Sequence, residues 1–182
     1  EICACLVGSE MCIRDRDKVK GATGYDVYWS YCNGKNNFNK LANVPKSQKY
    51  ADKNLSNKRE YKYFTVAYKM SGGKKVYLGR TNTVHVAMPY AAKTNVLKVT
   101  VNKTKANLAK GKTFKITKKV KLENPKKKAL NHLTKKERFI TSNAKVATVS
   151  SAGVIKAVRK GTCTVYVMSE NGVCAKIKVT VK

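Results

Sequence analysis

The sequence predicts an all-β chain built as two tandem β-sandwiches. Three observations carry that expectation. Apolar and polar residues alternate with period two through most of the chain, as half-buried strands require. Turn signals separate the alternating runs, at Asn33-Gly34, Ser71-Gly72-Gly73, Gly153, Gly161 and Gly172. A short Pro-led stretch, residues 89–95, breaks the pattern near the middle of the 182 residues and reads as a linker. Each half is then small and buries only a modest core.

Residues 1–16, EICACLVGSEMCIRDR, stand apart in composition. They hold three of the six cysteines and three of the ten acidic residues. The string LVGSEMCIRDR resembles a translated sequencing-adapter read, so this segment is expected to be a non-native tail with no part in the fold.

A first domain is expected over residues 17–88. Residues 24–32 alternate Tyr25, Val27, Trp29 and Tyr31 against Asp26, Tyr28, Ser30 and Cys32, a strand with an aromatic face. Residues 38–44 follow as the next strand, 47–55 as a weaker one, 60–70 as a long one, and 75–88 as the return after the glycine turn. Phe64, Val66 and Tyr68 alternate against Tyr61, Tyr63, Thr65 and Ala67, so both faces of the long strand carry bulk.

Past the linker, a second domain is expected over 96–182. Residues 96–102 alternate as its first strand, Leu108 and Gly111 mark a turn, and 112–122 form the second strand. The stretch 123–137 is polar and basic and reads as a long loop with one helical turn at 129–133. From Arg138 onward the chain is a run of short strands. The final hairpin has a preferred register. A three-residue loop, Glu170-Asn171-Gly172 with Gly172 left-handed, sets Val165 opposite Ile177 and Cys163 opposite Val179, which gathers the apolar side chains on one face. A two-residue turn would set Val165 opposite Lys178. In the preferred register Cys163 points inward and Cys174 outward at opposite ends of the hairpin, with Cys32 outward in the other domain, so no disulfide is expected among the three.

Two resemblances refine this picture. VKGATGYDVYWS, Leu55 and Tyr61, and YFTVAYKMSGGKKVYLG are similar to a bacterial fibronectin type III domain. The resemblance implies core aromatics at Trp29 or Tyr31 and a tyrosine corner at Leu55 and Tyr61. It also implies that the odd positions of the long strand face inward, leaving Phe64, Val66 and Tyr68 as an outward candidate contact patch. With residues 1–16 set aside, this sandwich lacks its N-terminal strands, and Trp29 is expected to be exposed. LAKGKT, RFITSNAKVATVSSAGVIKAVRKGTCTVYV and AKIKVTV resemble the bacterial immunoglobulin-like group 2 domain, with Phe139 at the usual aromatic position and Val146, Ala147, Val149 and Val154 in its apolar rhythm. Together they imply two immunoglobulin-like sandwiches.

Charge is the extreme quantity. Lys and Arg number 39 against 10 Asp and Glu, a net charge of +29, and only six of the 39 are Arg. Solvated lysines on strand faces and sheet edges account for such a surface. An anionic wall or surface polymer is an alternative partner, through Lys126, Lys127, Lys128, Lys135 and Lys136 in the basic loop. Nucleic acid fits less well, because base-edge and phosphate-fork readout favours Arg.

The chemistry-bearing residues are sparse. His85 and His132 are the two histidines, and neither has Cys or carboxylate neighbours at ligand spacing, so no metal site is expected. The carboxylates from Asp17 onward are scattered, and no phosphate loop or nucleophile elbow occurs, so neither catalysis nor a cofactor is expected. No run of about 20 apolar residues is present to span a membrane. The resemblances imply a spacer or adhesion segment of a bacterial secreted or cell-surface protein, with surface carbohydrate, protein or neighbouring domains of a larger chain as partners. The alternatives are a cationic module for wall polymer, or an accessory module of an enzyme whose catalytic domain lies elsewhere.

Overall fold

The computed structural model describes residues 3–7, 10–14, 19–35, 37–45, 50–53, 55–132 and 137–182. In chain order the first half runs β1 (Cys3–Val7), β2 (Glu10–Arg14), β3 (Gly24–Tyr31), β4 (Asn39–Pro45), β5 (Tyr50–Asp52), β6 (Glu60–Ser71), β7 (Lys74–Arg80) and β8 (Val84–Ala87). One sheet has the order β4-β3-β6-β7, and β8 pairs with the opening residues of β6 on the edge away from β3. The other sheet is β1-β2-β5.

Period-two alternation sends Val27, Tyr61, Tyr63, Val84 and Val86 into one core, with Trp29 and Leu55 packed against it. Tyr63 spans the sandwich, donating its hydroxyl to Asp52 at 2.8 Å. Ser56 N donates to the Tyr61 hydroxyl at 2.9 Å, which is the expected tyrosine corner.

Strands β1 and β2 form a hairpin whose second strand pairs with β5, Met11 opposite Asp52 and Ile13 opposite Tyr50. The three-residue β5 thereby gains the antiparallel partner that a strand so short requires. Trp29 is half-buried rather than exposed, edge-on to Tyr31 at 5.1 Å.

The second half runs β9 (Lys93–Thr94), β10 (Val96–Val101), β11 (Lys105–Leu108), β12 (Thr113–Lys115), β13 (Lys118–Leu122), β14 (Lys128–Ala129), β15 (Glu137–Thr141), β16 (Ala147–Val149), β17 (Val154–Ala157), β18 (Gly161–Ser169) and β19 (Cys174–Val181). The sheet β11-β19-β18-β15 contributes Cys163, Val165, Val167, Ile177 and Val179 to a core that Val99 of β10, Ile155 of β17 and Ile116, between β12 and β13, close.

The final hairpin has the expected register. Val165 lies opposite Ile177, Cys163 opposite Val179, and Ser169 N donates to Val173 O at 2.9 Å across the three-residue loop. Gly172 has φ 86°, the left-handed conformation that this loop needs. Cys32, Cys163 and Cys174 are free thiols.

Two readings of this half change. The stretch 112–122 is not one strand; β12 and β13 join different sheets, with Ile116 buried at the switch. The helical turn expected at 129–133 is absent from its described residues, where β14 pairs in parallel with β9 and Leu130 is buried; Leu133 lies outside the described residues.

Candidate functional site at the seam between the sandwiches

The linker between the sandwiches is built into their junction. Lys93–Thr94 is hydrogen-bonded to Lys128–Ala129, and Ala91 is buried against Ala87 and Leu130. Asn95 is buried; its Oδ1 accepts from Ala87 N at 2.8 Å, and its Nδ2 donates to Ala87 O at 2.8 Å and to Glu123 at 2.9 Å. Asn171 treats Val96 in the same way, donating to its carbonyl at 2.9 Å and accepting from its amide at 3.3 Å. Buried backbone groups at the junction are therefore satisfied by side-chain amides instead of water.

The tip of the last hairpin forms the other wall of the seam. His85 N donates to Glu170 O at 2.9 Å, and His132 N donates to the Glu170 carboxylate at 3.1 Å. The rings of His85 and His132 stack with centroids 5.4 Å apart, and His132 Nε2 bonds to the Glu60 carboxylate. Arg138 Nη1 donates to Thr83 O at 2.9 Å. Burial pushes the His85 imidazole down to about 4, and the cationic Arg138 and Lys62 nearby push the same way, so its ring is neutral near pH 7. The Cys32 thiol is pushed up to about 12 by burial and by Glu60, which keeps it protonated and unreactive.

A cleft of about 560 Å³ opens beside this seam, with Cys32, Lys62, Phe64, Arg80, His85 and His132 among its lining residues. Sequence reasoning dismissed both histidines as metal ligands and did not bring them together. They lie 47 positions apart on different halves, and no local spacing links them. Among the described residues no group of three or more His, Cys, Asp or Glu side chains is placed to share a metal ion.

The residues singled out from the sequence fall elsewhere or are already engaged. Lys126 and Lys128 are exposed in the basic stretch. Lys127 is instead tied to the linker, its Nζ donating to Pro89 O at 2.9 Å and Ala91 O at 2.7 Å. Lys135 and Lys136 lie outside the described residues.

The contact patch expected at Phe64, Val66 and Tyr68 is corrected. It occupies the face away from the core, but the chain's own side chains cover it. Tyr28 stacks on Phe64 at 4.9 Å, Phe38 meets it edge-on at 4.7 Å, and the Arg80 guanidinium lies 3.9 Å above it. Lys75 Nζ sits 4.1 Å over the Tyr68 ring, whose hydroxyl donates to Asn43 at 3.0 Å. Phe64 and Tyr68 are thus buried and Val66 is half-buried. Asp26 anchors this layer, accepting from Lys75 at 2.8 Å, Asn43 at 2.8 Å and Lys40 at 3.1 Å. Burial would raise the Asp26 carboxyl, but the hydrogen bonds from Lys75, Lys40 and Asn43 outweigh it and hold the group below its ordinary range.

The tyrosine corner, the paired sheets and the clamped junction define a modular chain of immunoglobulin-like β-sandwiches. Residues 95–181 match the family model of the bacterial Ig-like domain (group 2), and the second sandwich is a domain of that family. Among solved structures the chain is similar to the S-layer protein rSbsC(31-844), with 16% identity and a TM-score of 0.40 over 94% of this chain and 22% of that one. It is also similar to a two-domain fibronectin type III segment of chicken tenascin, with 16% identity and a TM-score of 0.38 over 98% of this chain and 95% of that one. The chain spans about a fifth of the S-layer structure, 22% of its length. No curated protein matches the chain in sequence.

Proposed function

We propose that the chain is a non-catalytic spacer or adhesion segment of a bacterial secreted or cell-surface protein, in which two sandwiches are held at a fixed mutual orientation. The observation that carries this reading is the seam. Asn95, Asn171, Glu170 and Arg138 place at least one hydrogen bond each on backbone across or beside the junction. A loose tether would leave those backbone groups to water. Membership of the second sandwich in the bacterial Ig-like family supports an extracellular setting. The test is ¹⁵N relaxation of the whole chain. A single rotational correlation time shared by both sandwiches is expected; two independent times would remove the basis for a rigid spacer.

A second reading, a cationic module for anionic wall polymer, is favoured by the net charge of +29 and the exposed Lys126 and Lys128. It requires polyanion affinity that falls steeply with salt and weakens when these lysines are neutralised. Binding that is absent at physiological salt leaves the spacer alone.

A further inference from the structure

The seam cleft holds charge and hydrogen-bonding capacity that a spacer does not use. We propose that it is a binding site for a small oxyanion, a phosphate or carboxylate group.

Arg80 supplies the leading group. Its guanidinium carbon lies 3.9 Å from the centre of the Phe64 ring, and Nη2 donates to Thr83 Oγ1 at 3.1 Å. The ring contact and the bond to Thr83 together restrain the fork, so an oxyanion meets donors that are already held in place. Lys62, whose Nζ donates to the Lys35 carbonyl and lies 5.0 Å from the Phe38 ring centre, adds positive charge from the neighbouring strand, and His132 lines the same cleft from the second sandwich.

His85 gives an independent indication. It is 6% exposed, and its Nδ1 has no hydrogen-bond partner among the described residues. Burying a polar atom without a partner is costly, and native structures seldom leave one so without a reason. An oxyanion accepts from Nδ1–H, and a hydroxyl beside the anionic group donates to Nδ1 in the other tautomer. The Arg138 and Lys62 side chains bring positive charge toward this ring, and they add to the larger effect of burial in depressing its basicity. Of the described residues lining the cleft, none is a carboxylate. Glu60 nearby is engaged by His132 and lies 3.9 Å from Lys93.

The site draws on both sandwiches, so a bound anion bridges the seam. Its failure is separable from that of the spacer reading, because tumbling of the empty protein does not depend on it.

The experiment is an NMR titration of the full chain with two probes, inorganic phosphate and glucuronate. Saturable shifts of the His85 ring and the Arg80 side chain are expected, with a Kd of about 1 mM or tighter, together with a rise in the His85 pKa on saturation. Tighter binding of phosphate marks a phosphate or phosphate ester as the ligand; tighter binding of glucuronate marks a uronate. Arg80→Ala is a surface substitution that leaves both cores intact. It should weaken binding at least about tenfold, with Arg80→Lys retaining part of the affinity. Absence of a saturable shift with both probes overturns the proposal, as does a Kd unchanged by Arg80→Ala.

Discussion

Asn95 completes the end of strand β8 as another strand would: its side-chain amide bonds to both the N–H and the C=O of Ala87, each at 2.8 Å. One primary amide thus reproduces a pair of ladder hydrogen bonds where the chain leaves the first sandwich. Its backbone carbonyl also accepts from Glu123 N at 3.1 Å, which fastens the same residue to the second sandwich.

Asn95→Ala should therefore act on both sandwiches at once. It leaves the Ala87 amide and carbonyl buried without partners, at a cost of about 2–4 kcal/mol. Urea denaturation should show the loss. ¹⁵N relaxation should show the two sandwiches tumbling more independently than in the parent chain. An unchanged relaxation profile would mean that Asn95 stabilises the fold without coupling its halves.

His85 makes stability depend on pH. Its imidazole takes up a proton near pH 6.5 when unfolded and only near about 4 when folded. Between those values the unfolded state holds more protons, so stability is lost as the pH falls from about 6.5 toward 4, by up to about 3 kcal/mol. Denaturation midpoints followed across this window should slope downward on acidification. His85→Asn should flatten the slope; an equal slope in the variant would assign it to another group.

Gly153 is held at φ 74°, and a Cβ there would lie 2.9 Å from the Phe139 ring. Gly153→Ala combines left-handed strain with overlap and should cost about 2–3 kcal/mol. Phe139→Leu in the same chain should recover the steric part only, so the double variant should be less destabilised than the sum of the two single losses. Strict additivity in thermal denaturation would show that the ring does not limit this position.

Tyr61→Phe tests the tyrosine corner. Removing the hydroxyl strips the partner from Ser56 N and should cost about 1 kcal/mol. Because Tyr61 belongs to the first core, the loss should appear in probes of that sandwich, with Trp29 fluorescence a direct reporter.

The parts of the fold legible in the sequence are those set by local pattern. The last hairpin could be read to the residue, since only one register gathers Val165, Ile177 and Val179 on one face and Gly172 marks its loop. The split of 112–122 into β12 and β13 was hidden because alternation runs unbroken through Ile116 while the chain changes sheets. The pairing of Lys93–Thr94 with Lys128–Ala129 is too short to leave a period. The seam was illegible for a related reason. His85, His132 and Glu170 meet only after both sandwiches have folded, and nothing in their immediate neighbours announces it.

One pairing bears on how the second sandwich carries a mechanical load. Strand β11 runs parallel to β19, from Lys105 opposite Lys178 to Leu108 opposite Val181. Tension applied between Lys105 and Val181 pulls these neighbours in opposite directions along their shared axis. Their hydrogen bonds are then loaded in shear, all at the same moment, rather than peeled open one by one. Hydrogen bonds loaded in this way must yield together, so even this four-residue pairing would resist tension better than a hairpin opened from its end.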